Sequence, residues 1–301
     1  MIEARDTVTD WVKARTSVSF RSRVARARVD WRGWNAGLRA LPDFLVIGAQ
    51  RCGTSSLYTY LGRHPRVIPS LRKEVEYLST RFGEGENWYR AHFPLQARLV
   101  ASRIMRGNPA QTFEATPDYL LDPRAPRRAA ELLPGVRILV LLRDPVERAY
   151  SQYMHNRRLG QEDLTFDEAL EQEPTRTHGE LLRMEALPAY QAKPLRRFGY
   201  VARGRYAEQL EGWLAQYPRE QIHIIQTEAF FKDTADSFGE IQRFLSLPEW
   251  RPAQFGNHSL RGPSARKHGM TGEARERLME TFKEPNRRLY DLIGRDLGWK
   301  S

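Results

Sequence analysis

The chain has 301 residues, of which 48 are lysine or arginine and 37 are aspartate or glutamate, so its formal net charge is +11. Its 41% apolar content excludes a chain that is disordered throughout, and its single cysteine, Cys52, excludes an intramolecular disulfide. A charge of this sign is typical of proteins that bind a nucleic acid, an anionic membrane or a small polyanion, so the placement of the cations decides between these classes. The sequence has neither an apolar run of membrane-spanning length nor an apolar N-terminal signal region, which predicts a cytoplasmic location.

Residues 1–40 are predicted to form a basic N-terminal arm, followed by one domain over 41–301. The arm has nine basic and four acidic residues, a net charge of +5, with aromatic and aliphatic residues partly at helical spacing. One interpretation is an amphipathic segment that makes peripheral contact with an anionic membrane. The other is a helix that packs on the domain with its arginines in water.

Short apolar runs predict buried strands at 44–47, 137–142 and 222–225. A helix is predicted to begin near residue 57, and Asp144 and Pro145 suit the N-cap and first position of another. Further helices are predicted at 205–216, 234–245 and 270–299, with short helices and loops over 161–197. Strands that alternate with helices favour an α/β fold, with a central, mainly parallel sheet flanked by helices.

The turn at 48–56 contains small residues and Arg51, between the first strand and the first helix of the domain. Backbone N–H groups in such a turn, the start of the helix and a guanidinium group can together bind a phosphate or a sulfate. It is not a Walker A loop, because Thr54 follows Gly53 and the cation precedes the glycine. A kinase that uses ATP is therefore disfavoured but remains an alternative, as does a tight turn without a ligand.

A second segment repeats this arrangement, with Arg143 at the end of a strand and Ser151 about two helical turns further on. Two anion sites at the carboxyl ends of parallel strands suit a ligand with phosphates at both ends. The alternative is that Arg143 pairs with Asp144 or Glu147 and that Ser151 is merely solvated.

Several further motifs follow in a fixed order, including Lys-Glu-Val-Glu-Tyr at 73–77 and Thr-Pro-Asp-Tyr at 116–119. Others lie at 64–65, 203–206, 244–245 and 286–299. With the two anion-binding segments, they make residues 43–299 resemble the PAPS-dependent sulfotransferases, in particular the heparan-sulfate sulfotransferase domains and their bacterial relatives. PAPS is 3'-phosphoadenosine-5'-phosphosulfate, the sulfate donor of that family.

The resemblance implies a three-layer P-loop-like fold. It also implies in-line transfer of the sulfuryl group of PAPS to a hydroxyl or amine, without a metal. The acceptor would be a carbohydrate, a glycolipid or a small molecule, and nucleic acid is not expected as a partner. The implied donor-binding residues are Arg51, Cys52, Gly53, Thr54, Ser55, Ser56, Arg143, Ser151, Arg261 and Gly262. Glu74 would be the general base, and Arg51 would stabilise the leaving phosphate.

Two residues depart from the family pattern: Arg51 stands where lysine is usual, and Ala115 stands where some relatives have a second lysine. Residues that bind the acceptor are expected within 76–112 and 160–200. Besides the kinase, the alternative to this function is a basic protein without catalysis that binds polyanions or membrane surfaces.

Overall fold

A computed structural model of the protein describes residues 18–106, 110–256 and 270–300. Arg261 and Gly262, the further donor contact implied by the resemblance, lie outside these ranges. So do the first 17 residues of the arm.

The centre of the domain is a sheet of five strands, in the spatial order β2-β3-β1-β4-β5. The strands are Phe44–Gly48 (β1), Val67–Pro69 (β2), Gln111–Ala115 (β3), Arg137–Leu142 (β4) and Ile222–Gln226 (β5). All four pairings are parallel. Every residue of β1 is buried, as expected for a strand covered on both faces. The three predicted strands are confirmed, whereas β2 and β3 were not predicted.

Helices cover the sheet, so the predicted three-layer α/β fold is confirmed. The helices of the described ranges are Val18–Gly33 (α1), Thr54–Arg63 (α2), Glu86–Arg90 (α3), Gln96–Arg106 (α4), Ala125–Leu132 (α5), Pro145–Arg158 (α6), Phe166–Arg176 (α7), Glu180–Ala186 (α8), Lys193–Phe198 (α9), Tyr206–Leu214 (α10), Thr227–Lys232 (α11), Thr234–Phe244 (α12) and Gly272–Ile293 (α13). The last helix ends earlier than predicted, because Gly294 adopts a left-handed conformation with φ 66° and terminates it.

The carboxyl-terminal end of the arm is attached to the domain. Arg32 donates hydrogen bonds to the carbonyls of Ala91 and Phe93, and Arg39 donates a 3.0 Å bond to the latter carbonyl. Trp31 and Trp34 are 73% and 91% exposed. The division of the chain at residue 40 stays a prediction. No helix in the described ranges has the length and apolar character needed to cross a bilayer.

Candidate active site

The loop between β1 and α2 has an unusual backbone. Arg51 and Gly53 have φ of 69° and 95°, and the latter is the N-cap position of α2. A Cβ on Gly53 would lie 2.8 Å from the ring of Phe231, so both the conformation and the space require glycine. No side chain caps α2. The N–H of Ser56 donates to the Gly53 carbonyl at 3.0 Å, whereas no described bond uses the N–H groups of Thr54 and Ser55, which can therefore donate to an anion.

The predicted hydroxyl residues of this loop differ in their exposure. Ser55 is exposed at the start of α2, whereas Thr54 and Ser56 are buried. Cys52 is also buried, and burial raises the pKa of its thiol. Its carbonyl accepts a 2.8 Å hydrogen bond from the Thr227 hydroxyl. Its N–H donates to the Ala49 carbonyl at 3.3 Å and its side chain belongs to the core, so the role of Cys52 in donor binding stays a prediction.

The two predicted anion-binding segments meet in the structure. Arg51 Nε donates a 3.2 Å hydrogen bond to Ser151 Oγ on α6, although the two residues are 100 positions apart in the sequence. The pKa of Arg51 is lowered, first by burial and then by the positive charges of Arg158 and Arg143. Within the ranges that the structure describes, no carboxylate forms an ion pair with Arg51. A bound anion would relieve this repulsion.

Arg143 lies at the end of β4 with its side chain 15% exposed, and its only described ion pair is a long one, 3.7 Å to Glu147. The predicted N-cap is confirmed, since Asp144 accepts a 2.9 Å hydrogen bond from the N–H of Val146. The backbone of this segment is held from behind. The hydroxyl of Tyr206 donates to the Arg143 carbonyl at 2.9 Å.

Glu228 accepts a 3.0 Å hydrogen bond from the N–H of Asp144, and Trp299 donates to the same carboxylate at 3.3 Å. Trp299, in the motif at 286–299, therefore helps to hold the backbone that follows β4 and carries Arg143.

Glu74, the predicted base, lies at the same edge of the sheet. Its N–H donates a 2.9 Å hydrogen bond to the carbonyl of Ala115, the last residue of β3, which is the neighbour of β1. Its side chain is 51% exposed and pairs with Lys73 at 2.8 Å. The structure therefore places Glu74 at the end of β3, the strand next to β1, with its carboxylate in contact with Lys73.

Two further residues of α6 lie beside Arg51 and are not among the predicted donor-binding residues. Arg158 is the largest positive influence on Arg51, and it donates to Nδ1 of His155 at 2.9 Å. The pKa of His155 is lowered by burial and then by Arg51 and Arg158. Ser151, His155 and Arg158 are spaced by four and three residues, so helical periodicity could have placed them on one face.

This arrangement can bind a polyanion. Guanidinium groups, hydroxyls and first-turn N–H groups are all donors, and donors are what phosphate and sulfate oxygens accept from. The set therefore fits a ligand with two anionic groups, as PAPS has. In the described ranges there is no group of three or more side chains that could ligate a metal ion.

The fold and the site define an α/β protein with a cluster of guanidinium and hydroxyl groups at the carboxyl edge of its sheet. The model of the sulfotransferase domain family matches residues 41–259, and the chain belongs to that family.

A crystal structure of a sulfotransferase from Alicyclobacillus acidocaldarius is 30% identical to it, with a TM-score of 0.65 over 87% of this chain and 100% of that one. The bifunctional heparan sulfate N-deacetylase/N-sulfotransferase of Drosophila melanogaster is 32% identical over 69% of this chain but only 20% of its own length. Human heparan sulfate glucosamine 3-O-sulfotransferase 6 is 28% identical over 87% of this chain and 75% of its own length.

Proposed function

We propose that this protein is a sulfotransferase that takes the sulfuryl group from PAPS and transfers it to a hydroxyl or amine. The observation that carries the proposal is the contact between Arg51 and Ser151, because it joins the loop after β1 to the helix after β4. A nucleotide with a 5'-phosphosulfate and a 3'-phosphate would span these two segments. The loop at 51–56 would hold the first group, and Arg143 with Ser151 would hold the second.

In the proposed reaction, the acceptor oxygen attacks sulfur while the Glu74 carboxylate takes the proton of the acceptor. The bond between sulfur and the bridging oxygen breaks, and its electron pair stays on the departing 5'-phosphate. Arg51 is permanently protonated, so it stabilises this charge without donating a proton. Because Glu74 is half-exposed, an acceptor can reach its carboxylate.

We propose a glycan or a small molecule as the acceptor. Two relatives are named for heparan sulfate, which supports an acceptor that offers sugar hydroxyl or amino groups. The segments expected to bind the acceptor, 76–112 and 160–200, include Trp88, whose ring lies beneath the guanidinium of Arg81 at 5.5 Å. The cytoplasmic location stays a prediction.

The experiment that tests the function has two parts. Thermal unfolding is measured with PAP, the desulfated product of the donor, and separately with ATP and magnesium. Transfer of labelled sulfate from labelled PAPS is then measured against a pool of glycans and small metabolites. Stabilisation by PAP alone, with labelled product, is the expected result. Stabilisation by ATP and magnesium alone would favour the kinase, and binding without transfer would favour a protein that only binds polyanions.

We also propose that the arm contacts an anionic membrane. Val24, Trp31, Trp34 and Leu38 are between 51% and 91% exposed, the first two on α1 and the other two in the residues that follow it. These four side chains are called the apolar stripe of the arm. Exposed arginines flank this stripe at positions 23, 26 and 28. Tryptophan beside cationic residues is the composition of helices that lie in a membrane surface.

Sedimentation with vesicles tests the membrane contact, with phosphatidylglycerol vesicles compared with phosphatidylcholine. The double variant W31S/W34S should lose binding to the anionic vesicles. The control L182S removes another exposed apolar side chain, 71% exposed, and should keep that binding. Absence of wild-type binding to anionic vesicles would overturn the proposal. So would a dimer in solution that W31S/W34S dissociates, because a second copy would then cover the stripe.

A further inference from the structure

The segment 74–78, which carries the proposed base, has a strained backbone. Glu74 and Glu76 both have φ of 62°, in the left-handed region that residues other than glycine rarely adopt. Such conformations persist only where the surrounding structure fixes them, and they concentrate at functional sites.

Three hydrogen bonds from backbone N–H groups fix this segment to β3 and the turn that follows it. The N–H of Glu74 donates to the Ala115 carbonyl at 2.9 Å. The N–H of Glu76 donates to the hydroxyl of Thr116 at 3.3 Å, and the N–H of Leu78 donates to the hydroxyl of Tyr119 at 3.2 Å. Two of the three attachments therefore depend on side-chain hydroxyls, each used as an acceptor.

A buried carboxylate orients both of these hydroxyls. Glu114 is fully buried, and it accepts hydrogen bonds from Thr116 at 2.9 Å and from Tyr119 at 2.9 Å. Burial raises the pKa of Glu114 to about 7, and above this pH the ionised carboxylate only accepts. Each hydroxyl then directs its proton towards Glu114 and keeps its lone pairs for an N–H of the segment. Tyr89 also donates to Glu114, at 2.6 Å, but no described bond links its hydroxyl to the segment 74–78.

The side chain of Glu76 attaches the segment from its other side. Its carboxylate pairs at 2.5 Å with Arg196 of α9, which also pairs with Asp118. The carboxylate of Glu76 is thus committed to an ion pair within the protein. Among the described residues, the Glu74 carboxylate pairs with Lys73 alone and is 51% exposed, so the attachments leave the proposed base as the accessible carboxylate of the segment.

We infer that Glu114 is a positioning residue, which holds the segment 74–78 through Thr116 and Tyr119 and so places Glu74 for proton transfer. The inference rests on the proposed function, in which Glu74 is the base. It assigns to β3 a part in the reaction that does not require contact with either substrate.

The test compares T116V and Y119F, which each remove one link between Glu114 and the segment, with the control Y89F. Each of the three variants removes a hydrogen-bond donor to Glu114. Only T116V and Y119F also remove the hydroxyl that accepts a hydrogen bond from an N–H of the segment 74–78. We expect kcat for sulfuryl transfer to fall at least about tenfold in T116V and Y119F, with the Kd for PAP within twofold of wild type. In Y89F, kcat should stay within about twofold. E114Q should resemble the first two variants if it folds.

A second readout does not depend on activity. Hydrogen exchange at the N–H groups of Glu76 and Leu78 should accelerate in T116V and Y119F, respectively, and should not accelerate in Y89F. An unchanged kcat in T116V and Y119F would overturn the inference, and so would an equal loss of kcat in all three variants. Unchanged hydrogen exchange at the N–H groups of Glu76 and Leu78 would overturn it as well. If the wild-type protein transfers no sulfuryl group, the proposed function fails instead. The exchange rates then decide separately whether Glu114 orders the segment.

Discussion

Replacing Arg143 with alanine should weaken the binding of PAP while leaving a nucleotide without a 3'-phosphate unaffected. The side chain is 15% exposed, and its one ion pair within the described residues is a long one with Glu147. The Tyr206 hydroxyl donates to the Arg143 carbonyl, and the next N–H along the chain donates to Glu228, so the substitution should remove the guanidinium without moving the strand end. A hydrogen bond to a charged group contributes about 1.5–3 kcal/mol, which corresponds to a Kd for PAP about 10- to 150-fold higher.

The companion substitution Ser151→Ala removes a neutral hydroxyl and should raise the same Kd by only about 2- to 10-fold. Titration calorimetry should be carried out with PAP and with adenosine 5'-phosphosulfate, which has no phosphate at the 3' position. Glu147→Gln serves as the control, because it releases Arg143 from its ion pair and should not weaken PAP binding. Equal weakening of both nucleotides by Arg143→Ala would refute the assignment of this residue to the 3'-phosphate, and so would unchanged PAP binding.

Three further substitutions probe the loop, the base and the buried carboxylate. Glu74→Gln should lower kcat by about 10²–10⁴-fold with an unchanged Kd for PAP. The control Glu280→Gln, which also removes an exposed carboxylate paired with a lysine, should leave both unchanged, and equal kcat in the two variants would exclude Glu74 as the base. Gly53→Ala should lower the free energy of unfolding in urea by about 1–3 kcal/mol, because Gly53 has a φ of 95° and an added Cβ would meet the ring of Phe231. The control Gly62→Ala, within α2, should not destabilise the protein, because the nearest atom to its added Cβ is 3.7 Å away. Burial raises the pKa of Glu114 from 4.5 to about 7, so the folded state binds the carboxyl proton more tightly than the unfolded state does. The contribution of Glu114 to the free energy of unfolding therefore falls as the pH rises between those two values. The difference in free energy of unfolding between wild type and Glu114→Gln should therefore shrink by about 2–3 kcal/mol from pH 4.5 to pH 8. An equal difference at both pH values would contradict a raised pKa for Glu114.

The sequence predicts β1, β4 and the edge strand β5, because each contains a short run of apolar residues. It does not predict β3, whose sequence Gln-Thr-Phe-Glu-Ala alternates polar and apolar residues although four of the five are buried. Thr112 and Glu114 can be buried there because partners distant in sequence satisfy them, namely the Ile68 carbonyl and the hydroxyl of Tyr89. A local pattern contains no information about such partners.

The same limit applies to the site. Arg51 and Arg143 stand out because each follows an apolar run that ends at a turn. Arg158 stands beside another arginine on an ordinary helix, and its importance depends on which face of that helix meets the β1–α2 loop. Once Ser151 is assigned to the site, helical spacing selects Arg158 as well, so this residue could have been found by applying the periodicity outward from Ser151.

The order of the strands explains how the site can treat two reactants differently. β1 is central, with β3 on one side and β4 on the other, and the reversal of strand order at this point opens a crevice at the carboxyl ends. Arg51 and Arg143 follow β1 and β4, whereas Glu74 is attached to the end of β3. In the proposed reaction the donor therefore lies across the β1–β4 side, and the acceptor hydroxyl must approach from the β3 side, where it meets a carboxylate instead of a guanidinium. The cations on the two sides also differ in their partners. Lys73 and Arg196 on the β3 side form close ion pairs with carboxylates, whereas Arg143 on the other side has a long one at 3.7 Å, and this asymmetry favours a polyanion bound on the β1–β4 side.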